Sequence, residues 1–277
     1  MLAFAAYEVR RALARKKVLA MVAFIILLDT VPYYILSTSG TTVISQQIYP
    51  YLWAAGVIAL FPLFIQFVAI LIAAGAMSEE YESGTAELLL AKPVGRAEYF
   101  AGKFLGGYFL LGLLILLNAL LSVVAATLTY GAQSGLGTIP GVVLVEVYSS
   151  ALFFSLAFMF GELVRRSSLA YILSSALIVA SQIIGTYLSF AYELTGNGFY
   201  ETIHVYLPTT LVGSLPLQYE QSLLPSAAGK LFQLILGPTI GVPSEVSAAA
   251  MVGAYFATAT GVALAYFRWA DVAKRVS

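Results

Sequence analysis

The chain has 277 residues, 60% of them hydrophobic and 10% charged, with equal numbers of acidic and basic side chains and no net charge. Several apolar runs exceed the roughly 20 residues that cross a hydrocarbon core about 30 Å thick, which makes it an integral membrane protein and argues against nucleic acid as a partner. Cysteine is absent, which excludes disulfides, thiolate-bound metals and thiol chemistry.

Residues 1–17 open the chain with Leu2, Ala5, Ala6, Val9, Ala12 and Leu13 at helical spacing opposite Glu8, Arg11 and Arg15, the pattern of a helix lying in the membrane interface. Arg15, Lys16 and Lys17 then mark an inner boundary. A plain basic flank that only fixes topology is the other reading of this segment. Six apolar spans follow, at Val18 to Leu36, Ala54 to Met77, Phe104 to Leu128, Gly141 to Phe160, Leu169 to Ala191 and Val246 to Phe267. The fold class is therefore all-α, integral to the membrane, with six transmembrane helices. The first run begins at residue 18 and no small-residue cleavage pattern follows it, so it reads as a retained helix and not a signal peptide.

With these spans, 13 of the 14 Lys and Arg residues fall on one side, and Lys230 alone lies on the other. Basic residues accumulate on the inner face, so both termini are expected in the cytoplasm of a multi-pass protein of the cell membrane. The connections at 37–53 and 129–140 hold no charged residue, as short external loops should. Between the fifth and sixth spans, residues 192–245 are broken by Pro208, Pro216, Pro225, Pro238 and Pro243 yet remain apolar. Ala227 to Leu236 suits a short amphipathic helix, too short to span. The segment is expected to form external helices that re-enter the bilayer or lie on its surface.

Residues 79–103 carry a charged island of Glu79, Glu80, Glu82, Glu87, Lys92, Arg96, Glu98 and Lys103 between two spans, expected as a structured loop. Thr85 is placed to cap a helix, Glu87 sits in its first turn where the dipole favours an anion, and Pro93 pushes Lys92 out of helical geometry. The product is a helix of about two turns with Leu88, Leu89 and Leu90 as its apolar side. Charges at Glu82, Glu87 and Arg96 give register, and the leucines suit an apolar pocket, so the segment is expected to dock a partner. A solvated helical hairpin whose charges merely fix topology is the bland alternative.

The run Glu80-Tyr81-Glu82-Ser83-Gly84-Thr85-Ala86-Glu87-Leu88-Leu89-Leu90-Ala91-Lys92-Pro93-Val94-Gly95-Arg96, followed by Lys103-Phe104, resembles the cytoplasmic signature of ABC-2 type permeases, the membrane subunits of type V ABC exporters. The match covers about 25 residues; elsewhere the likeness is one of layout. It implies a single permease domain over residues 1–277, comprising the interfacial helix at 1–17, a cytoplasmic coupling segment at 79–100 and the external segment at 192–245. It further implies a homodimer or heterodimer of permeases in the lipid bilayer, joined to two separate ATP-binding subunits that drive export. The coupling helix would seat on those subunits through Glu82, Gly84, Thr85, Glu87, Leu88, Leu89, Pro93 and Arg96.

No cofactor is expected on this chain, ATP and Mg being held by the partner subunits. Gly95 with Gly102 and Lys103 has the wrong spacing for a phosphate-binding loop, Phe104 replaces the hydroxyl residue, and no strand precedes it. Neither H-E-x-x-H nor G-x-S-x-G occurs, so no catalytic residue and no metal site is expected on this chain. His204 reads as an ordinary external residue.

Asp29 and Glu146 are the carboxylates inside the expected spans, and such groups are costly unless they face a partner or water. With Gln66, Asn118 and Gln182 they are the candidates for a translocation path, structural hydrogen bonding being the alternative for each. Two other functions stay open: a secondary carrier driven by an ion gradient through Asp29 and Glu146, and a membrane assembly factor without cargo. Nothing in the sequence identifies the cargo.

Overall fold

The computed structural model describes residues 16–38, 48–86, 95–223 and 241–269. The expected interfacial helix, the stretch holding Glu87, Leu88, Leu89 and Pro93, and the proposed helix from Ala227 to Leu236 lie outside them. Helices account for nearly all of the described residues, which contain no strand.

Among the described residues, nine α-helices run in the order α1 (Lys16–Thr38), α2 (Leu52–Leu60), α3 (Gln66–Ser83), α4 (Arg96–Tyr130), α5 (Ile139–Val164), α6 (Ser167–Thr195), α7 (Gly198–Val205), α8 (Pro208–Leu223) and α9 (Glu245–Trp269). Six helices among the described residues are long and apolar enough to cross a membrane: Lys16–Ile35, Leu63–Ser83, Arg96–Tyr130, Leu136–Val164, Ser167–Thr195 and Glu245–Trp269. They alternate in direction. One end of the bundle gathers Lys17, Glu79, Lys103, Glu162, Ser167 and Arg268, and the other gathers Tyr33, Trp53 and Ser122.

The second span differs from its expected course. Sequence places one helix from Ala54 to Met77, whereas the chain forms α2, a π-helical turn at Phe61–Ile65 and then α3. Proline has no N–H and crowds the preceding turn, so Pro62 breaks the regular ladder and shifts the register there. Almost every residue of α2 is buried, so this short helix is an interior element at the far end. The displaced span ends at Ser83 instead of Met77, and that moves Glu79, Glu80 and Glu82 from a loop onto a helix.

Helix α4 also starts earlier than Phe104. Its 35 residues reach about 52 Å at 1.5 Å per residue, well beyond a 30 Å core, so α4 is long enough to extend past the core. The charged island is thus largely two helix ends, with a left-handed Gly84 (φ 70°) closing α3. Close packing of α3 on α5 depends on Gly161, where a Cβ would stand 2.5 Å from the Ala74 carbonyl oxygen.

After α6, the chain turns back on itself. Gly185 faces Leu207 and His204, and the Ser181 hydroxyl binds both the N–H and the hydroxyl of Thr209 at 3.2 and 2.8 Å. Ser181 is midway along α6, so α7 descends beside that helix to its middle and α8 climbs back. The segment before the last span, expected to re-enter the bilayer or lie on its surface, thus runs in its described part back alongside α6 to the middle of that helix. Its rising limb packs near the far end, where Tyr219 fills the space left by Gly141.

Candidate functional site

Three carboxylates in the last turn of a helix oppose its dipole, which favours cations there. The end of α3 carries Glu79, Glu80 and Glu82 all the same, and each has a partner on another helix. Glu79 accepts from Lys17 of α1 at 3.1 Å and from the Tyr171 hydroxyl of α6 at 2.6 Å. Lys17 also donates to Tyr171 and lies 4.5 Å from its ring centroid. Gly75, one turn above Glu79, leaves the room that the Tyr171 hydroxyl occupies.

Glu80 turns inward. Its carboxylate meets Lys103 and the Tyr99 hydroxyl, both on α4, with Glu80 and Lys103 each only 2% exposed. The next residue, Tyr81, donates to the Glu162 carboxylate of α5 at 2.8 Å. Arg165 lies over the Tyr81 ring at 4.8 Å and over Tyr266 of α9 at 5.4 Å. Arg165 has positive φ (56°) at the end of α5, a conformation uncommon outside glycine. Glu82 accepts from the backbone N–H of Ser167 at 2.9 Å and from its hydroxyl at 2.6 Å. That carboxylate caps the start of α6 from another helix, where hydrogen bonding and dipole both favour an anion.

Four consecutive residues thus reach α1, α4, α5 and α6. The remaining long helix joins through Arg96, which donates to the Arg268 carbonyl at 3.2 Å, and through aromatic packing. Phe267 stacks on Tyr99 and tilts against Phe100, while Phe104 meets Phe154, Phe158 and Phe256 with ring centroids 5.1, 5.1 and 5.8 Å away. Such pairs each add about 0.5–1.5 kcal/mol beyond area burial. A polar clamp therefore sits directly on an aromatic layer.

Among the residues expected to dock a partner, Glu82 and Arg96 are exposed at this end but spend their hydrogen bonds within the bundle. Gly84 provides the left-handed turn, and Thr85 stands one position inside the resumed helix with its hydroxyl 2.9 Å from Ser83. Glu87, Leu88, Leu89 and Pro93 lie outside the described residues. Tyr81, Tyr99, Glu162, Arg165 and Tyr171 were not singled out by sequence. The signal that points to them is the pile of acids at the wrong end of a helix, a local rule broken where partners must compensate.

The path candidates divide. Asp29, Gln66, Asn118 and Glu146 are buried on α1, α3, α4 and α5, whereas Gln182 is exposed on α6. The structure does not bring Gln182 to the others. The Gln66 amide donates to Ser150 at 3.2 Å, and Tyr33 shares Ser122 with the Trp53 carbonyl. A third buried carboxylate, Glu220 on α8, joins them, and burial pushes its carboxyl well above the usual carboxylate range. Among the described residues, no three His, Asp or Glu side chains converge to hold a metal ion.

No curated protein matches this chain. A family model described as an ABC-2 family transporter protein matches residues 2–272, almost the whole length and all six long helices. The chain belongs to the ABC-2 family of transporter proteins, and is a multi-pass membrane permease component of an ABC transporter with no catalytic activity of its own.

Proposed function

We propose that this permease exports its cargo across the cell membrane by coupling to ATP hydrolysis on two separate ATP-binding subunits, working as a pair of permeases with both termini in the cytoplasm. The observation that carries this reading is the clamp: one turn of α3 holds side chains from four other helices. Nothing in a passive anchor requires three carboxylates against a helix dipole, answered between them by α1, α4 and α6. A moving lever does. The ATP-binding subunit would seat on the segment from Gly84 to Gly95, and its displacement would reach the spans through Glu79 to Glu82. The accumulation of basic residues at the clamp end supports the orientation.

The test is transport in the assembled complex. Glu82→Lys, which reverses the charge at the α6 cap, and Arg96→Glu, which removes the tie to α9, should leave insertion and ATP hydrolysis in place while transport falls at least tenfold. Normal transport in both variants would overturn the coupling route. Failure of the purified chain to co-isolate with any ATP-binding subunit would overturn the reading itself. The buried carboxylates favour an ion-driven carrier as the second reading, and flux that follows an ion gradient without nucleotide would decide for it.

A further inference from the structure

We infer that the interior of the bundle holds a binding site for the positively charged group of an organic cation, formed by Asp29, Glu146 and Glu220 with Asn118 and Ser149 as neutral hydrogen-bonding partners. This names a cargo class for the transport proposed above, and rests on that reading only for the step from binding to movement.

All five side chains are buried, none more than 2% exposed. None of the six carboxylate oxygens, neither polar atom of the Asn118 amide and not the Ser149 hydroxyl has a hydrogen-bond partner among the described residues. Buried polar groups are ordinarily satisfied, so such a concentration of orphans needs a cause. Carboxylates within a membrane bundle mark functional sites by default.

The groups belong together. Helix α5, which carries Glu146, packs against α8, which carries Glu220, and against α4, which carries Asn118, with the Tyr108 hydroxyl of α4 donating to the Val147 carbonyl at 2.7 Å. Ser149 follows Glu146 by three residues on α5 and so shares its face. Asn118 is placed by register: Tyr33 of α1 and Ser122 of α4 meet at 2.8 Å, the two helices run the same way, and Asp29 and Asn118 each lie four residues back. One turn below the Tyr33 contact, Asp29 and Asn118 therefore stand at the same level on facing sides. Helices α1, α4, α5 and α8 converge on one polar region.

Its chemistry selects the ligand. Three acids with no basic partner among themselves favour a cation. The acids do not approach closely enough to chelate a metal ion, whereas an ammonium or a polyamine presents several N–H donors over a longer reach and brings its own apolar body. Asn118 and Ser149 then accept from the cation or donate to its polar substituents. A purely structural role fits poorly, because a neutral carboxyl would still need an acceptor for its proton, and among the described residues none of the three has one.

Binding is measurable on the purified full-length chain in lipid nanodiscs, without nucleotide or partner subunits. Ethidium is the fluorescent probe, with tetraethylammonium and spermidine as competitors and Zn2+, Ca2+ and Na+ as metal controls. Saturable ethidium binding displaced by an organic cation is expected, weakened at least tenfold in Glu146→Gln, Asp29→Asn and Glu220→Gln separately, and unchanged in Gln182→Ala. If one amide variant fails to fold, the other two decide. Absence of saturable binding, equal binding in the amide variants, or displacement by metal ions alone would overturn the site. Loss of ATP-driven transport with cation binding intact would instead count against the exporter reading and leave this one standing.

Discussion

Lys103 offers the sharpest energetic test of the clamp. Its ammonium is paired with Glu80 at 2% exposure for both side chains, with Tyr99 donating to the same carboxylate. Lys103→Met keeps the length of the side chain and removes its charge, stranding Glu80 in a buried site. Breaking one side of a buried ion pair costs about 3–5 kcal/mol, because the remaining charge keeps its desolvation penalty without its partner. Against a total stability of about 5–15 kcal/mol that is a large fraction. The double variant Glu80→Met/Lys103→Met removes both charges together, and apolar replacement of a whole buried pair is often neutral or better. Reversible unfolding in mixed micelles should therefore place the single variant about 3–5 kcal/mol below the parent and the double variant within about 2 kcal/mol of it. A single variant that loses less than about 1 kcal/mol, or a double variant that loses the sum of the two singles, would refute the buried pair. Transport separates the two roles: the stable double variant should still be impaired, since α4 has lost its tie to α3.

Three further outcomes follow from the backbone and the topology. Gly161→Ala places a methyl 2.5 Å from a backbone carbonyl and should cost about 1–3 kcal/mol as α3 and α5 are forced apart, whereas Gly107→Ala, which meets only side-chain atoms at 3.2 Å or more, should cost less in the same unfolding assay. Gly84→Ala, at φ 70° with open space around its Cβ position, should lose about 1 kcal/mol from backbone strain alone, and Gly84→Asn, which tolerates this conformation, should recover most of it. Since the chain has no native cysteine, single cysteines report sidedness cleanly: Ser83→Cys should react with an impermeant maleimide only from the cytoplasmic side, and Ser134→Cys and Ser222→Cys only from outside, any reversal overturning the proposed orientation.

Much of the fold was legible because lipid imposes a simple rule. A backbone in hydrocarbon must satisfy its own hydrogen bonds, so long apolar runs become helices, and all six appear. The exceptions have local causes. Pro62 interrupts a run that hydropathy alone reads as continuous, and the register change carries the next helix six residues past its expected end. That shift hides the clamp from sequence, because hydropathy alone leaves Glu79, Glu80 and Glu82 in a loop where solvent answers a charge. Glu220 is hidden differently: it lies in a proline-broken segment outside any span, and only the packing of α8 back against α5 and α9 buries it. Periodicity reports which face of a helix is apolar. It does not report which distant helix supplies a partner.

The clamp contacts are unequal, and their inequality divides the bundle. The tie from α3 to α4 is buried, and the tie to α5 is reinforced by the close passage at Gly161 and by the aromatic layer around Phe104 and Phe158. The ties to α1 and α6 run through the partly exposed Lys17 and Glu79 and the exposed Glu82, and exposed pairs contribute about 0–1 kcal/mol. At the clamp, α3, α4 and α5 are therefore joined by buried contacts and α1 and α6 by polar ties that thermal energy can exchange, while Met21 and Ile25 of α1 and Ala170 and Ile178 of α6 stay packed in the shared core. On the proposed coupling route, a push on the segment after Gly84 would strain these exchangeable ties first, and a change of access between Asp29 on α1 and Glu146 on α5 would follow from their release. The Lys103 and Glu82 variants probe the two halves of the division, the first by loosening the buried contacts and the second by freeing α6 from α3.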